Sequence, residues 1–201
     1  KIKVGVIFGG ESVEHEVSII SAMQAINKLD LENYEVVPIY ITKDREWYTG
    51  DMLKDIDVYQ DLNLIKKYSK NVVLYFKNGS YVLQSKGFFK NVVKEIDIAF
   101  PIVHGTNVED GVLQGYLQTI GIPYVGPNVY GAVAGQDKAI MKDIWKSLDI
   151  PMTKYVWFYD VDYKQDSDAI MKKVGTLKYP VIVKPATTGS SVGISVVDSE
   201  D

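Results

Sequence analysis

Three carboxylates crowd the segment Gly9-Gly10-Glu11-Ser12-Val13-Glu14-His15-Glu16-Val17-Ser18, where an ammonium group can be held. A second segment offers the opposite charge: Lys184-Pro185-Ala186-Thr187-Thr188-Gly189-Ser190-Ser191-Val192-Gly193 joins a lysine to a run of backbone amides on which phosphates can rest. One molecule carrying both suggests ATP meeting an amino acid. Two further groups belong to this inventory. His104, in His104-Gly105-Thr106-Asn107-Val108-Glu109-Asp110-Gly111, can donate a hydrogen bond or carry charge near neutral pH. Lys138, in Gly135-Gln136-Asp137-Lys138-Ala139, can reach phosphate oxygens as a point charge.

Each group also has a plainer reading. The acids can complement a helix dipole, with Ser12 or Ser18 as cap. A lone histidine is more often a satisfied structural group, and Asp110 reads as the cap of the helix that follows it. One nitrogen ligand does not make a metal site. Taken alone, Lys138 reads as a solvated surface residue. Lys184 follows the apolar run Pro180–Val183 and is therefore expected to be partly buried with a partner. Two nucleotide fingerprints fail. Gly9 and Gly10 are adjacent instead of spaced as G-x-G-x-x-G, and Lys184 precedes its glycines instead of following them as in a Walker loop.

The elements that must position these groups follow from periodicity. Lys3–Phe8 reads as a buried strand, Val17–Leu29 as a helix with Ile19, Met23 and Ile26 on one face, and Tyr34–Ile41 as a second strand. This β-α-β order implies parallel strands covered by helices. Between Asp44 and Lys94 the pattern suggests short strands at Trp47-Tyr48, Val72–Phe76 and Ser80–Gln84 around the turn Asn78-Gly79, read as peripheral decoration. A strand at Asp97–Val103, a helix at Gly111–Ile120 ended by Gly121, and a short strand at Ile122–Val125 complete the first region. Beyond the break at Gly126-Pro127-Asn128 come a helix at Asp137–Leu148, a strand at Lys154–Phe158, a helix at Asp166–Val174, and strands at Pro180–Lys184 and Gly193–Val197 that pair across the second glycine loop. The expected domains are residues 1–126 and 127–201.

Composition narrows the class. A chain of 201 residues with 46% hydrophobic content can bury a full core, and a net charge of -4 without a block of like charges leaves no footprint for nucleic acid or an anionic membrane. Cysteine is absent, so there is neither a disulfide framework nor a thiol nucleophile. The amino-terminal apolar stretch meets glycines and acids and reads as a strand, not a signal peptide, and no run approaches the ~20 apolar residues that span a bilayer. A cytoplasmic protein acting on small molecules is the expectation.

Taken in order, the four segments resemble the ATP-grasp ligases, and within them the D-alanine–D-alanine ligase family: glycine-glycine-x-serine-x-glutamate, histidine-glycine through glutamate-aspartate-glycine, aspartate-lysine, and lysine-proline-x-x-x-glycine-serine-serine-x-glycine. The resemblance covers nearly the whole chain and is weakest over Asp44–Lys94. Val108 departs from it, standing where the family usually has glycine. The resemblance implies an α/β protein with a Rossmann-like parallel-sheet domain followed by an incomplete ATP-grasp domain. It implies that Glu14 holds the ammonium of the first D-alanine, with Val17 and Ser18 lining that site. Ser190 would steady Glu14 and the loop, and His104 would lie near the reacting carboxylate. Lys138 and Lys184 would bind ATP phosphates under Gly189, Ser191 and Gly193. ATP would phosphorylate the carboxylate of the first D-alanine, and the amine of a second amino acid would displace phosphate from that acyl phosphate. Magnesium or manganese is implied, with its ligands expected beyond residue 201, as are the determinants that separate D-alanine from D-serine or D-lactate as second substrate; no metal ligand is named here. A homodimer is implied as well. The alternatives are a D-alanine–D-serine or D-alanine–D-lactate ligase, another ATP-grasp ligase such as a glutathione synthetase-like enzyme, and a ligand-binding fragment without turnover.

Overall fold

The computed structural model describes residues 1–199. Its chain divides into two compact units, Lys1–Val133 and Ala134–Asp201. The first is built on β1 (Ile2–Gly9), α1 (His15–Ile26), β2 (Tyr34–Ile41), β3 (Trp47–Thr49), α2 (Leu62–Tyr68), β4 (Lys70–Lys77), β5 (Ser80–Ser85), β6 (Val92–Ile96), β7 (Ile98–Val103) and α3 (Val112–Ile120). Helix α4 (Val129–Gln136) spans the division. The strands form one sheet in the order β6-β5-β4-β3-β2-β1-β7, and β1 runs parallel to both β2 and β7.

From Val4 to Gly9 strand β1 is buried and uncharged because both of its faces are covered there, as a central parallel strand requires. Val4, Val6 and Phe8 pack with Val36, Tyr40 and the α1 residues Ile19, Ala22, Met23 and Ile26. Ile7 packs on the other face with Val37, Ile39, Ile41 and the α3 residues Leu113 and Leu117. Core side chains pack directly onto the Gly5 backbone, where a Cβ would lie 2.6 Å from Ile96 Cδ1 and 3.0 Å from Ile39 Cδ1.

The α/β reading holds, with one correction to its sheet. The segment read as peripheral decoration supplies four of the seven strands, β3 to β6, as an antiparallel extension of the parallel part. Val72, Leu74, Leu83 and Ile96 belong to the same buried cluster as Ile7 and Ile39. The pattern hides this because Val73, Phe76 and Val92 are exposed and the register shifts between Leu83 and Gln84, which breaks the two-residue alternation. The expected turn is present, with Asn78 at φ 50° and Gly79 at φ 87°. Because Leu83 is fully buried in the shared core, Leu83→Ala should lower the unfolding free energy by about 2–5 kcal/mol, read as a fall in the denaturant midpoint. A peripheral strand would lose far less.

The second unit contains α5 (Lys138–Ser147), α6 (Asp160–Gln165), α7 (Ser167–Val174) and the antiparallel pair β8 (Val181–Val183) and β9 (Ser195–Val197). The glycine loop is therefore the tip of a hairpin, as expected. Asp137 caps α5 by accepting from the Ala139 and Ile140 amides, and Asp166 caps α7 from the Ala169 amide. Two expected strands are not formed. Lys154–Phe158 lies outside regular structure, since a strand is held by a paired neighbour and none is assigned to it among the described residues. Ile122–Val125 is reduced to a single bridge between Tyr124 and Ala99, because Pro123 and Gly126-Pro127 limit further pairing. No helix among the described residues is long and apolar enough to cross a membrane.

Candidate functional site

Gly9 pairs in register with Ile41 of β2 on one side and Val103 of β7 on the other, so the first glycine loop and His104 leave the sheet side by side. This is the carboxyl edge where open α/β sheets collect ligands. Gly9 and Gly10 take φ of 89° and 101°. A Cβ on Gly9 would sit 2.2 Å from the Ile41 carbonyl, so only glycine makes this turn.

Ser18 accepts the Gly9 amide at 2.8 Å and donates to the Ile102 carbonyl at 2.6 Å. Its buried hydroxyl thus joins β1, α1 and β7 instead of capping the helix, which begins after Glu14. Ser12 Oγ accepts the Glu14 amide at 3.0 Å. Val17, by contrast, is half exposed on α1.

Of the three carboxylates in the loop, Glu11 pairs with Arg45 and Glu16 with Lys43, both cations lying just beyond β2. The hydrogen bond from Lys43 holds the Glu16 carboxyl below its ordinary range. Both pairs are exposed and contribute little to stability. Glu14 turns elsewhere. Its Oε2 lies 2.8 Å from where a Cβ on Gly105 would be, and Ser12 Oγ lies 2.3 Å from the same point. Gly105 occupies φ 85° and donates its amide to Glu109 Oε2 at 2.9 Å, while the Glu109 amide returns to the Gly105 carbonyl. Asp110 accepts the Asn107 and Val112 amides, but the N-cap of α3 is Gly111, so Asp110 braces the preceding turn and is not the helix cap expected of it. His104 is half-buried, with Nε2 3.1 Å from Ser21 Oγ.

Val108 is also accounted for. Its φ lies outside the positive region that needs glycine, and its side chain is buried against Gly10, where a Cβ would meet Val108 Cγ1 at 2.5 Å. The first glycine loop and the His104–Gly111 segment are thereby packed together.

In the second unit Lys138 is not merely solvated. Its Nζ donates to the Thr188 carbonyl at 2.9 Å and the Ala186 carbonyl at 3.2 Å, and its amide donates to Ala186 at 3.0 Å. Gln136 adds a bond to the Thr187 carbonyl at 3.0 Å. The start of α5 is therefore fastened to the glycine loop. Within that loop Ser190 and Ser191 take φ of 48° and 60°, and Gly193 at φ 74° approaches Pro185 so closely that a Cβ would lie 2.9 Å from its Cγ. Two successive serines in the left-handed region store about 1–2 kcal/mol each, a form of strain that concentrates at ligand clamps. Gly189 is half-buried. Lys184 is exposed, not partly buried as expected, because the two-stranded β8–β9 sheet leaves Ile182 and Val183 exposed as well.

Sequence reasoning passed over His15 and Tyr40. His15 is 3% exposed, with Nδ1 2.6 Å from the Gly10 carbonyl and Nε2 2.9 Å from the Tyr40 hydroxyl. Burial, reinforced by the carboxylates of Glu16 and Asp44, pushes the Tyr40 hydroxyl up to about 12. The signal for Tyr40 was its place in a strand buried on both faces, where a hydroxyl needs a partner.

The family described as D-ala D-ala ligase N-terminus matches residues 3–127, and that described as D-ala D-ala ligase C-terminus matches residues 144–201. Curated relatives include D-alanine–D-alanine ligases of Thermosipho melanesiensis, 36% identical, and Natranaerobius thermophilus, 40% identical; each match takes in all of this chain and 54% of the relative. Among solved structures, the D-alanine–D-alanine ligase of Coxiella burnetii aligns with a TM-score of 0.85 at 29% identity, over all of this chain and 57% of that one. The D-Ala:D-Ser ligase VanG of Enterococcus faecalis aligns with a TM-score of 0.81 at 30% identity, over all of this chain and 56% of that one. The chain spans about half the length of the curated relatives it matches. With both family descriptions matched in order over the two units, this chain belongs to the D-alanine–D-alanine ligase family.

Proposed function

We propose that the protein joins D-alanine to a second D-alanine at the expense of ATP, the first unit holding the first amino acid and the second unit holding the nucleotide. The observation that carries this reading is the meeting of Glu14 with Gly105, beside His104, at the carboxyl edge of β1 and β7. Glu14, whose Oε2 lies against Gly105 at that edge, is the carboxylate assigned to the ammonium group. His104 donates toward the carboxylate to be activated, and Val17 and Ser18 complete the wall and floor of this site.

In the second unit, Lys138 and Lys184 neutralise phosphate charge beneath the loop of Gly189, Ser190, Ser191 and Gly193. Phosphoryl transfer depends chiefly on positioning and charge neutralisation, which lysines and amides supply. The γ-phosphoryl group passes to the first D-alanine's carboxylate as its bond to ADP breaks. The amine of the second amino acid then attacks the acyl carbon and phosphate leaves. The closing loop keeps water from the acyl phosphate, with Ser190 as a positioning residue. Among the described residues no three histidine or carboxylate side chains gather as metal ligands, so no step is assigned to magnesium or manganese here. A cytoplasmic homodimer belongs to the same reading and rests on the family alone.

The relatives' names favour D-alanine as second substrate, while the likeness to VanG keeps D-serine as the second reading. The test is ADP release by the full-length protein with ATP, magnesium and D-alanine, with mass identification of the product. D-alanyl-D-alanine supports the proposal. Product only when D-serine or D-lactate is added transfers it to the alternative, and ADP release stimulated by neither would overturn it. Lys138→Met should raise KM for ATP about 10–100-fold, the loss of a charge-assisted contact, with little change in KM for D-alanine. An unchanged KM for ATP would remove Lys138 from the phosphate site.

A further inference from the structure

We infer that the buried pair His15–Tyr40 is a positioning device for the amino-acid site: it holds the Gly10 peptide in one orientation and thereby sets Glu14. The inference rests on the proposed role of Glu14 and adds two residues that do not touch the ligand.

The roles in this hydrogen-bonded chain are fixed by chemistry. A carbonyl oxygen only accepts, so His15 Nδ1 carries the proton given to Gly10 at 2.6 Å. In the neutral ring Nε2 is then the acceptor for the Tyr40 O–H at 2.9 Å. The ring stands edge-on to Tyr40, with centroids 5.5 Å apart, and Tyr40 in turn packs against Phe8 and Tyr59. Tyr40 is 1% exposed within an apolar cluster that includes Val4, Val6, Phe8 and Ile19. Phenylalanine and leucine would fill these volumes without needing partners. Buried polar groups like these add little net stability when satisfied, but they restrict geometry strongly because any other arrangement leaves one of them unpaired.

That restriction falls where the site needs it. His15 is the first residue of α1 and follows Glu14 directly. Gly10 is gripped from both sides, by His15 through its carbonyl and by Val108 through van der Waals contact at the position a Cβ would take. The Gly10 amide donates to the Ile41 carbonyl at 2.8 Å, so the peptides on both sides of this residue are held. From that anchor the chain reaches Glu14 in four residues. With the hydroxyl or the ring donor removed, the Gly10 peptide can rotate, and Glu14 loses its fixed approach to the ammonium group.

The test uses the full-length protein. Tyr40→Phe and His15→Leu should each raise KM for the first D-alanine about 5–30-fold while KM for ATP stays within twofold, the signature of one binding group misplaced by less than the ~1 Å that costs about 100-fold. His15→Asn, whose amide donor replaces Nδ1–H, should restore most of the affinity that His15→Leu loses. A change confined to folding stability would move neither ratio. Selective histidine labelling adds a readout that needs no turnover: nuclear magnetic resonance should find His15 as the Nδ1–H tautomer with a slowly exchanging ring proton, and exchange should quicken in Tyr40→Phe. If wild-type protein does not act on D-alanine, the proposed function falls and this readout still decides the pair. An Nε2–H tautomer, or a ring proton indifferent to Tyr40→Phe, overturns the inference. So does an active Tyr40→Phe enzyme with wild-type KM for D-alanine.

Discussion

Glu14→Gln should lower kcat/KM for the first amino acid by about 100-fold, most of it through KM, because a charge-assisted hydrogen bond to an ammonium is lost from a partly enclosed site. The substitution keeps shape and removes charge. Glutamine can still accept one hydrogen bond, so Ser12, Gly105 and the helix start should stay in place and the melting temperature should barely move. Steady-state ADP release at varied D-alanine, with ATP saturating, separates the effect on the amino acid from any effect on the nucleotide. Kinetics identical to wild type would end the assignment of Glu14 to the ammonium group. The neighbouring acids provide the contrast. Glu11 and Glu16 are engaged by Arg45 and Lys43 at the exposed rim, and their neutral variants should change kcat/KM by less than about threefold.

Gly105→Ala should be as damaging without touching any group that carries charge. Its methyl would lie 2.3 Å from Ser12 Oγ and 2.8 Å from Glu14 Oε2, separations that real Cβ contacts do not show. The backbone offers no relief, since Gly105 sits at φ 85° and is tied to Glu109 through both its amide and its carbonyl. Ser12 and Glu14 must therefore move, and a shift of ~1 Å in a substrate-positioning group costs on the order of 100-fold in rate. The expected result is loss of kcat/KM for D-alanine by about two orders of magnitude, with nucleotide affinity kept because Lys138 and its loop lie in the other unit. Calorimetry of nucleotide binding beside steady-state kinetics checks both halves. Wild-type turnover in Gly105→Ala would show that Glu14 need not lie against this loop.

Both expectations start from residues that stand out in the sequence, yet they depend on it unequally. Elements made by local pattern were legible: β1 and β2 as apolar runs, α3 ended at Gly121, the Asn78-Gly79 turn, and the helices beginning about Asp137 and Asp166. Propensity and periodicity act within a few residues, so they survive without tertiary context. Elements that exist only through a partner were not. Lys154–Phe158 has strand composition but no assigned neighbour, and the irregular strands β3 to β6 disclose their place in the main sheet only once Leu74 and Leu83 lie in the core beside Ile7.

The sequence by itself determined the chemical groups and their order along the chain: Glu14, His104, Lys138 and the loop from Lys184 to Gly193, together with the family they resemble. Only the tertiary structure decided how they are placed. It placed Glu14 against Gly105, engaged Glu11 and Glu16 elsewhere, turned Lys138 inward onto the carbonyls of Ala186 and Thr188, and left Lys184 exposed. It also joined His15 to Tyr40, 25 residues apart, beneath the first loop. The reason is one of range: spacing along the chain says which side chains are available, whereas the partner of a buried polar group is chosen by strand register and close packing between distant segments.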